Sequence, residues 1–153
     1  MVVFKTIGYG GLGGANHLIT LLKEMNAELV VDVRLKPWCS WNKDFCGYAL
    51  KNKLCSAGID YFWTEDLGNL TRNVQNIKLS NEAQGIEKVL SLMNSHNYDT
   101  VVLLCAEADE KRCHRLYIKN KLVEAVRPSM DMSIRQSVTT TSQIRTELAT
   151  IFG

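Results

Sequence analysis

Thr100-Val101-Val102-Leu103-Leu104-Cys105 is the stretch whose reading decides the fold. It is short, β-branched and apolar at every central position, with no polar alternation. A strand of that kind is buried on both faces, the usual setting being a parallel sheet covered by helices. Leu29-Val30-Val31-Asp32-Val33 has the same character within a strand read over Glu28–Arg34, and it ends in charge. Outward from these two strands the pattern alternates. Arg112–Val126 carries a helical stripe of Leu116, Ile118, Leu122 and Val123, and Asn81–Ser95 carries Ile86, Val89, Leu90 and Met93 on one face. Val2–Gly8 reads as a first strand and Asn16–Asn26 as a helix that Asn16 could cap. Lys43–Cys55 reads as a helix with Gly58 beyond its end, Ile59–Trp63 as a short strand, and Leu67–Leu79 as a long polar loop. Met130–Val138 is expected to be an edge strand and Ser142–Phe152 a last helix. Together these elements predict an α/β fold: a mainly parallel sheet of four to five strands with helices on both faces, in three layers.

Composition fits one domain over residues 1–153, with 46% hydrophobic and 22% charged residues. A net charge of +2 is too small to imply nucleic acid on its own, so any basic surface must come from local clustering. The apolar runs fall far short of the roughly twenty residues that a bilayer requires, and no membrane association is expected. Five cysteines, an odd number without a signal-peptide pattern, argue against a disulfide scaffold and for a reducing, cytoplasmic compartment.

In parallel sheets ligands bind outside the carboxyl ends of the strands. The distinctive residues of this chain follow strand ends: Tyr9 to Gly14, Asp32 to Trp41, and Cys105 to Arg115. Gly8-Tyr9-Gly10-Gly11-Leu12-Gly13 fits a G-x-G-x-x-G turn between strand and helix, with Asp32 near the distance expected of an acid on a dinucleotide ribose. The chain is short for a dinucleotide enzyme. The turn is therefore read as an anion site, with Gly8, Tyr9, Gly10 and Asp32 as candidates, against the simpler reading of glycines that permit positive φ. After the second strand, Arg34, Lys36, Trp38, Trp41 and Lys43 form a basic, aromatic loop that could stack bases, with Tyr61 added from the third strand. The plain alternative is tryptophans roofing the sheet edge beside solvated lysines.

Cys105 ends the most apolar strand, Glu107 lies just past it, and Cys113-His114-Arg115 opens the next helix. A cysteine at a helix N-terminus has a lowered pKa and greater reactivity. Glu107 could act as nucleophile or as general acid/base. Arg112 and Arg115 could hold a phosphate or carboxylate, and a buried Glu107 would need Arg34 or Arg115 as partner. Structural readings stand beside each: core cysteines, a Glu–Arg pair, and a His114 bonded to a backbone carbonyl. Zinc ligation by Cys, Glu, Cys and His is conceivable, but adjacent Cys113 and His114 would point apart on a helix, so no metal or other cofactor is expected. Cys105 to Arg112 is one residue longer than the C-x5-R cradle of phosphatases, which weighs against that chemistry.

Cys105-Ala106-Glu107 with Cys113-His114-Arg115 resembles the family catalogued as domain of unknown function 488. Thr6-Ile7-Gly8, Val31-Asp32-Val33-Arg34 with Pro37, Gly58-Ile59-Asp60-Tyr61 and Leu67-Gly68 match it in the same order. The family pattern has His-Ser where this chain has Tyr9-Gly10. The resemblance implies a compact α/β fold and assigns no reaction. From the residues we expect a small enzyme on a nucleotide, nucleobase or nucleic-acid substrate. Its catalytic candidates are Glu107, Cys105, Cys113 and His114, and glycosyl transfer and hydrolysis are both conceivable. A nucleic-acid or protein-binding module without catalysis is the first alternative, and a metal-dependent hydrolase the second.

Overall fold

A computed structural model of the protein describes residues 1–127. The strand expected over Met130–Val138 and the helix over Ser142–Phe152 lie outside the described residues. Residues Met1–Leu122 make up one compact unit.

Four strands form one sheet: β1 (Val3–Gly8), β2 (Leu29–Asp32), β3 (Asp60–Trp63) and β4 (Thr100–Cys105). Their order is β1-β4-β2-β3, and every pairing is parallel. Three helices, α1 (Ala15–Glu24), α2 (Gly47–Ser56) and α3 (Glu82–His96), connect them, and a fourth, α4, runs over 115–127. The fold is thus the expected α/β architecture.

The apolar runs explain the layers. Ile7, Val30, Val102 and Leu104 point to one face and pack with Leu18 and Leu22 of α1 and Leu50 and Leu54 of α2. The alternate residues Leu29, Val31, Val101 and Leu103 are buried just as fully on the other face. On that side Phe62 of β3 shares a groove with Leu92 of α3, which buries Val89 and Met93. Each fully buried leucine contributes about 2 kcal/mol. The central strands read as continuous apolar runs because both faces are covered.

Three boundaries differ from expectation. The first helix begins at Ala15 with Gly14 as its N-cap, so Asn16 lies inside the first turn and caps nothing. The helix expected over Lys43–Cys55 is broken at Cys46, which has extended backbone. A short turn at Lys43–Phe45, capped by Asn42, precedes the break and drops Phe45 into the core. The helix expected from Arg112 begins at 115, behind a turn at Glu110–Arg112 capped by Asp109. By contrast Asn81 caps α3, accepting the Gln84 N–H while its own amide donates to the Gln84 side chain.

Register aligns the carboxyl ends. Gly8 pairs with Cys105, Asp32 with Leu104, and Asp32 with Trp63. The segments after β1, β2 and β4 therefore leave the sheet at one edge, side by side.

Candidate functional site

At that edge lies a cavity of about 720 Å³. Its lining comes from four segments: Tyr9 after β1, Arg34 to Trp38 after β2, Asn69 to Val74 of the long loop, and Cys105 to His114 after β4.

Cys105, Cys113 and His114 form its reactive part. One donor atom from each lies within 4.8 Å of the others. Cys113 and His114 both precede α4, and Cys113 is extended at φ −135° and ψ 146°. The helical geometry that would have splayed them does not apply, and the two side chains converge. His114 Nδ1 sits 3.7 Å from Cys113 Sγ, while Nε2 is 2.7 Å from the Val33 carbonyl oxygen. A carbonyl can only accept, so Nε2 carries a proton and Nδ1 is turned to the sulfur. Cys113 is pushed down to about 4: the Cys105 thiol donates to it, and against the cost of burial it is further helped by Nδ1–H and the positive charge of His114 in its imidazolium form, and by the Arg115 backbone N–H at the start of α4. Cys105 is pushed up, first by its bond to the Cys113 sulfur and then by burial. Between the two, the site favours the proton on Cys105 and the negative charge on Cys113. These three side chains are also the group that could hold a metal among the described residues, two sulfurs and an imidazole being a zinc-type donor set.

Around this centre the expected anion-binding residues take several different places. Asp32 is fully buried, with Arg34 bonding both oxygens through Nε (2.9 Å) and Nη2 (2.6 Å) and Tyr61 donating to Oδ2 (2.5 Å). Both of its oxygens are taken up by these protein donors. Burial works against the Arg34 charge, but the Asp32 pair outweighs it and raises its pKa; burial and then Asp32 push Tyr61 up. Arg34 also donates to the Tyr9 hydroxyl at 3.1 Å, and the Tyr9 ring stacks on Phe45 at 4.4 Å. Asp32, Arg34 and Tyr9, all buried, thus form one network with the half-buried Tyr61 behind the cavity; of the four, Tyr9 and Arg34 touch its wall.

The glycine turn is a packing device. A Cβ at Gly8 would lie 1.8 Å from the Glu107 carbonyl oxygen, and one at Gly10 2.7 Å from that of Ala106. The Tyr9 and Gly10 N–H groups donate to the carbonyls of Cys105 and Ala106. The donors that an anion would need at Tyr9 and Gly10 are therefore already bonded to the loop after β4. Arg115 is likewise structural in its contacts: 2% exposed, it donates to the backbone carbonyls of Glu107 and Ala108, and its Nε has no partner among the described residues. The Glu107 carboxylate pairs with neither Arg34 nor Arg115. It is exposed on the cavity lining and accepts the Asp109 N–H at 3.2 Å.

The cavity keeps a cationic rim nonetheless. Lys36, Arg72 and Arg112 line it, all exposed, against one carboxylate among the described residues, that of Glu107. Trp38 lines it at 60% exposure. Trp41, equally exposed, stands outside the lining against Tyr9 and Phe45. The Val33 carbonyl is the part that residue-by-residue reading does not assign. Asn69 is buried and its side-chain oxygen accepts from Thr71 and from the Lys78 N–H, folding the long loop so that Arg72 reaches the rim. An Asn opening a polar loop is the signature of such a side-chain turn.

Among the described residues no helix is long and apolar enough to cross a membrane. The model of the family described as domain of unknown function DUF488 matches residues 15–122. No curated protein and no solved structure matches the chain.

Proposed function

This chain belongs to the DUF488 family, and we propose that it is a small enzyme acting on a nucleotide, nucleobase or nucleic-acid substrate, with Cys113 as its nucleophile. The observation that carries the reading is the Cys113–His114–Cys105 cluster at the wall of a cavity with a cationic rim. Phosphate on the substrate is held by Lys36, Arg72 and Arg112, and a base stacks on Trp38. The Cys113 thiolate attacks an electrophilic carbon of the bound substrate, and the leaving group departs as the S–C bond forms. His114, fixed by the Val33 carbonyl, orients the sulfur. Glu107, at the wet side of the cavity, activates the water or acceptor that breaks the S–C bond. Such chemistry covers both hydrolysis and glycosyl transfer, and a free thiolate suits a reducing, cytoplasmic compartment.

Incubation with a panel of 5′-nucleotides, nucleosides and short single strands, followed by mass spectrometry of the products, tests this. Turnover that disappears in Cys113→Ser supports it, while Trp38→Ala raises KM more than it lowers kcat. Unimpaired turnover in Cys113→Ser removes the nucleophile. The exposure of Trp38 and Trp41 favours one second reading, a nucleic-acid-binding module without chemistry. In that case single-strand binding is salt-dependent, is lost in Trp38→Ala, and survives in Cys113→Ser without any product forming.

A further inference from the structure

We propose that Cys105 is a resolving thiol, which closes a reversible disulfide with Cys113 once Cys113 is oxidised. The inference rests on the reading of Cys113 as the nucleophile and on two sulfurs that share one cavity wall, and on nothing about the substrate.

Two sulfurs in one crevice are the starting point. Cys105 and Cys113 both line the cavity, so an oxidant small enough to enter meets either. Their sulfurs belong to the set of atoms lying within 4.8 Å of one another. They come from separate supports: Cys105 ends β4, where it pairs with Gly8, and Cys113 lies two residues before the start of α4. The intervening loop is held at several points. Arg115 bonds the carbonyls of Glu107 and Ala108, and Thr6 bonds the Glu110 carboxylate. The sulfurs thus face each other through scaffolding that the fold maintains. Cys39 and Cys46 differ in kind, because they sit in the core beneath α1 and α2.

The nucleophile described above needs no second thiol for displacement chemistry; a serine or a water would donate to it as well. A second sulfur adds one capacity that oxygen lacks. A hydroperoxide oxidises the Cys113 thiolate: sulfur attacks the peroxide, the O–O bond breaks, and the departing alkoxide or hydroxide takes a proton. Cys113 becomes a sulfenic acid. The Cys105 sulfur then attacks it, the S–S bond forms, the S–O bond breaks, and hydroxide leaves as water with the Cys105 proton. In sum two thiols and one hydroperoxide give a disulfide, an alcohol or water, and a water. A dithiol reductant restores both thiols by exchange. Without Cys105 the sulfenic acid remains open to further oxidation to the sulfinic acid, which thiols do not reverse.

The test uses the full chain, hydrogen peroxide as the oxidant, and alkylation to trap remaining thiols. Tryptic cleavage after Lys111 and Arg112 separates the two cysteines, so a linked pair is visible as joined peptides. The wild-type protein is expected to give the Cys105–Cys113 linkage and to lose it on addition of dithiothreitol. Cys105→Ser is expected to accumulate sulfinic acid at Cys113 several-fold faster, without recovery. Should Cys105→Ser fail to fold, the wild-type mapping decides alone. Sulfinic Cys113 in the wild type with no joined peptide overturns the proposal. If Cys113 is readily alkylated near pH 5 yet never links to Cys105, only the resolving role fails. If it neither links nor reacts in acid, the nucleophile reading falls with it.

Discussion

The acid titration of Cys113 is the sharpest consequence of the site, and its size can be worked out. An ordinary cysteine titrates near 8.5, so roughly 3% of it is thiolate at about pH 7. Cys113, pushed down to about 4, is fully ionised there and gains about 30-fold in thiolate. A thiol that acidic is intrinsically less nucleophilic, by roughly 100-fold for a slope of about 0.45. The two effects nearly cancel near neutrality, so a rate measured at about pH 7 alone reveals nothing. In acid they separate: at about pH 5 an ordinary thiol has lost a further factor of about 100 while Cys113 remains mostly thiolate, leaving it ahead by roughly 30-fold. The sign follows from the direction of the shift, reactivity being retained as pH falls and lost only through about 4. Removing the donor gives the decisive perturbation. A hydrogen bond to a charged acceptor is worth about 1.5–3 kcal/mol, which is roughly one to two pH units on a titration. In Cys105→Ala the midpoint should therefore rise from about 4 to between about 5 and 6. Cys105→Ser, whose hydroxyl still donates, should stay close to the wild type. The assay is the rate of iodoacetamide labelling of the peptide Cys113-His114-Arg115 against pH. A wild-type inflection near 8 to 9, the ordinary range, or a midpoint unmoved in Cys105→Ala would refute this account of the pair.

Three further outcomes follow from the supports of the site. Arg115→Met leaves the Glu107 and Ala108 carbonyls unpaired and should lower unfolding stability in urea by about 3 kcal/mol or more; Arg115→Lys should recover little, since one ammonium cannot replace a two-pronged donor. Gly8→Ala should prevent folding or lose more than about 4 kcal/mol, because the new Cβ would lie 1.8 Å from backbone oxygen, whereas Gly11→Ala at φ +81° meets no atom and should cost only about 1–2 kcal/mol; thermal melts compare the two. Asp32→Asn strands the buried Arg34 charge and should cost about 3–5 kcal/mol by urea denaturation, while replacing Asp32 and Arg34 together by leucine and methionine should cost much less.

The sheet was readable because parallel strands buried on both faces leave an unmistakable trace. Leu29–Val31 and Val101–Leu104 have no polar position, and no exposed face needs one. The helix boundaries were harder because their causes are tertiary. Cys46 breaks the expected second helix where Gly47 is pressed against Pro37, a contact with no mark in helical periodicity. Convergence of the strand-end segments was legible too, since it follows from parallel register alone.

The roles of individual polar residues were less legible, and the Cys-Ala-Glu and Cys-His-Arg segments show why. Residue type gives what a side chain can do, but its partner decides what it does. Arg115 and Arg34 have the same guanidinium that binds phosphate, yet their forks meet Glu107 and Ala108 carbonyls in one case and Asp32 in the other. Gly8 and Gly10 have the freedom that suits an anion loop, yet what requires them is the close approach of the chain at Ala106 and Glu107. These residues brace the segments around the cavity, and the exposed Lys36, Arg72 and Arg112 leave cations facing it. Chemistry is then concentrated in the few groups whose partners are one another: a thiol whose proton Cys105 retains, a sulfur left ionised, and an imidazole held by Val33. A glycine-rich turn that clamps the loop carrying Glu107, and an arginine that pins the same loop from α4, are what keep that cluster from relaxing apart.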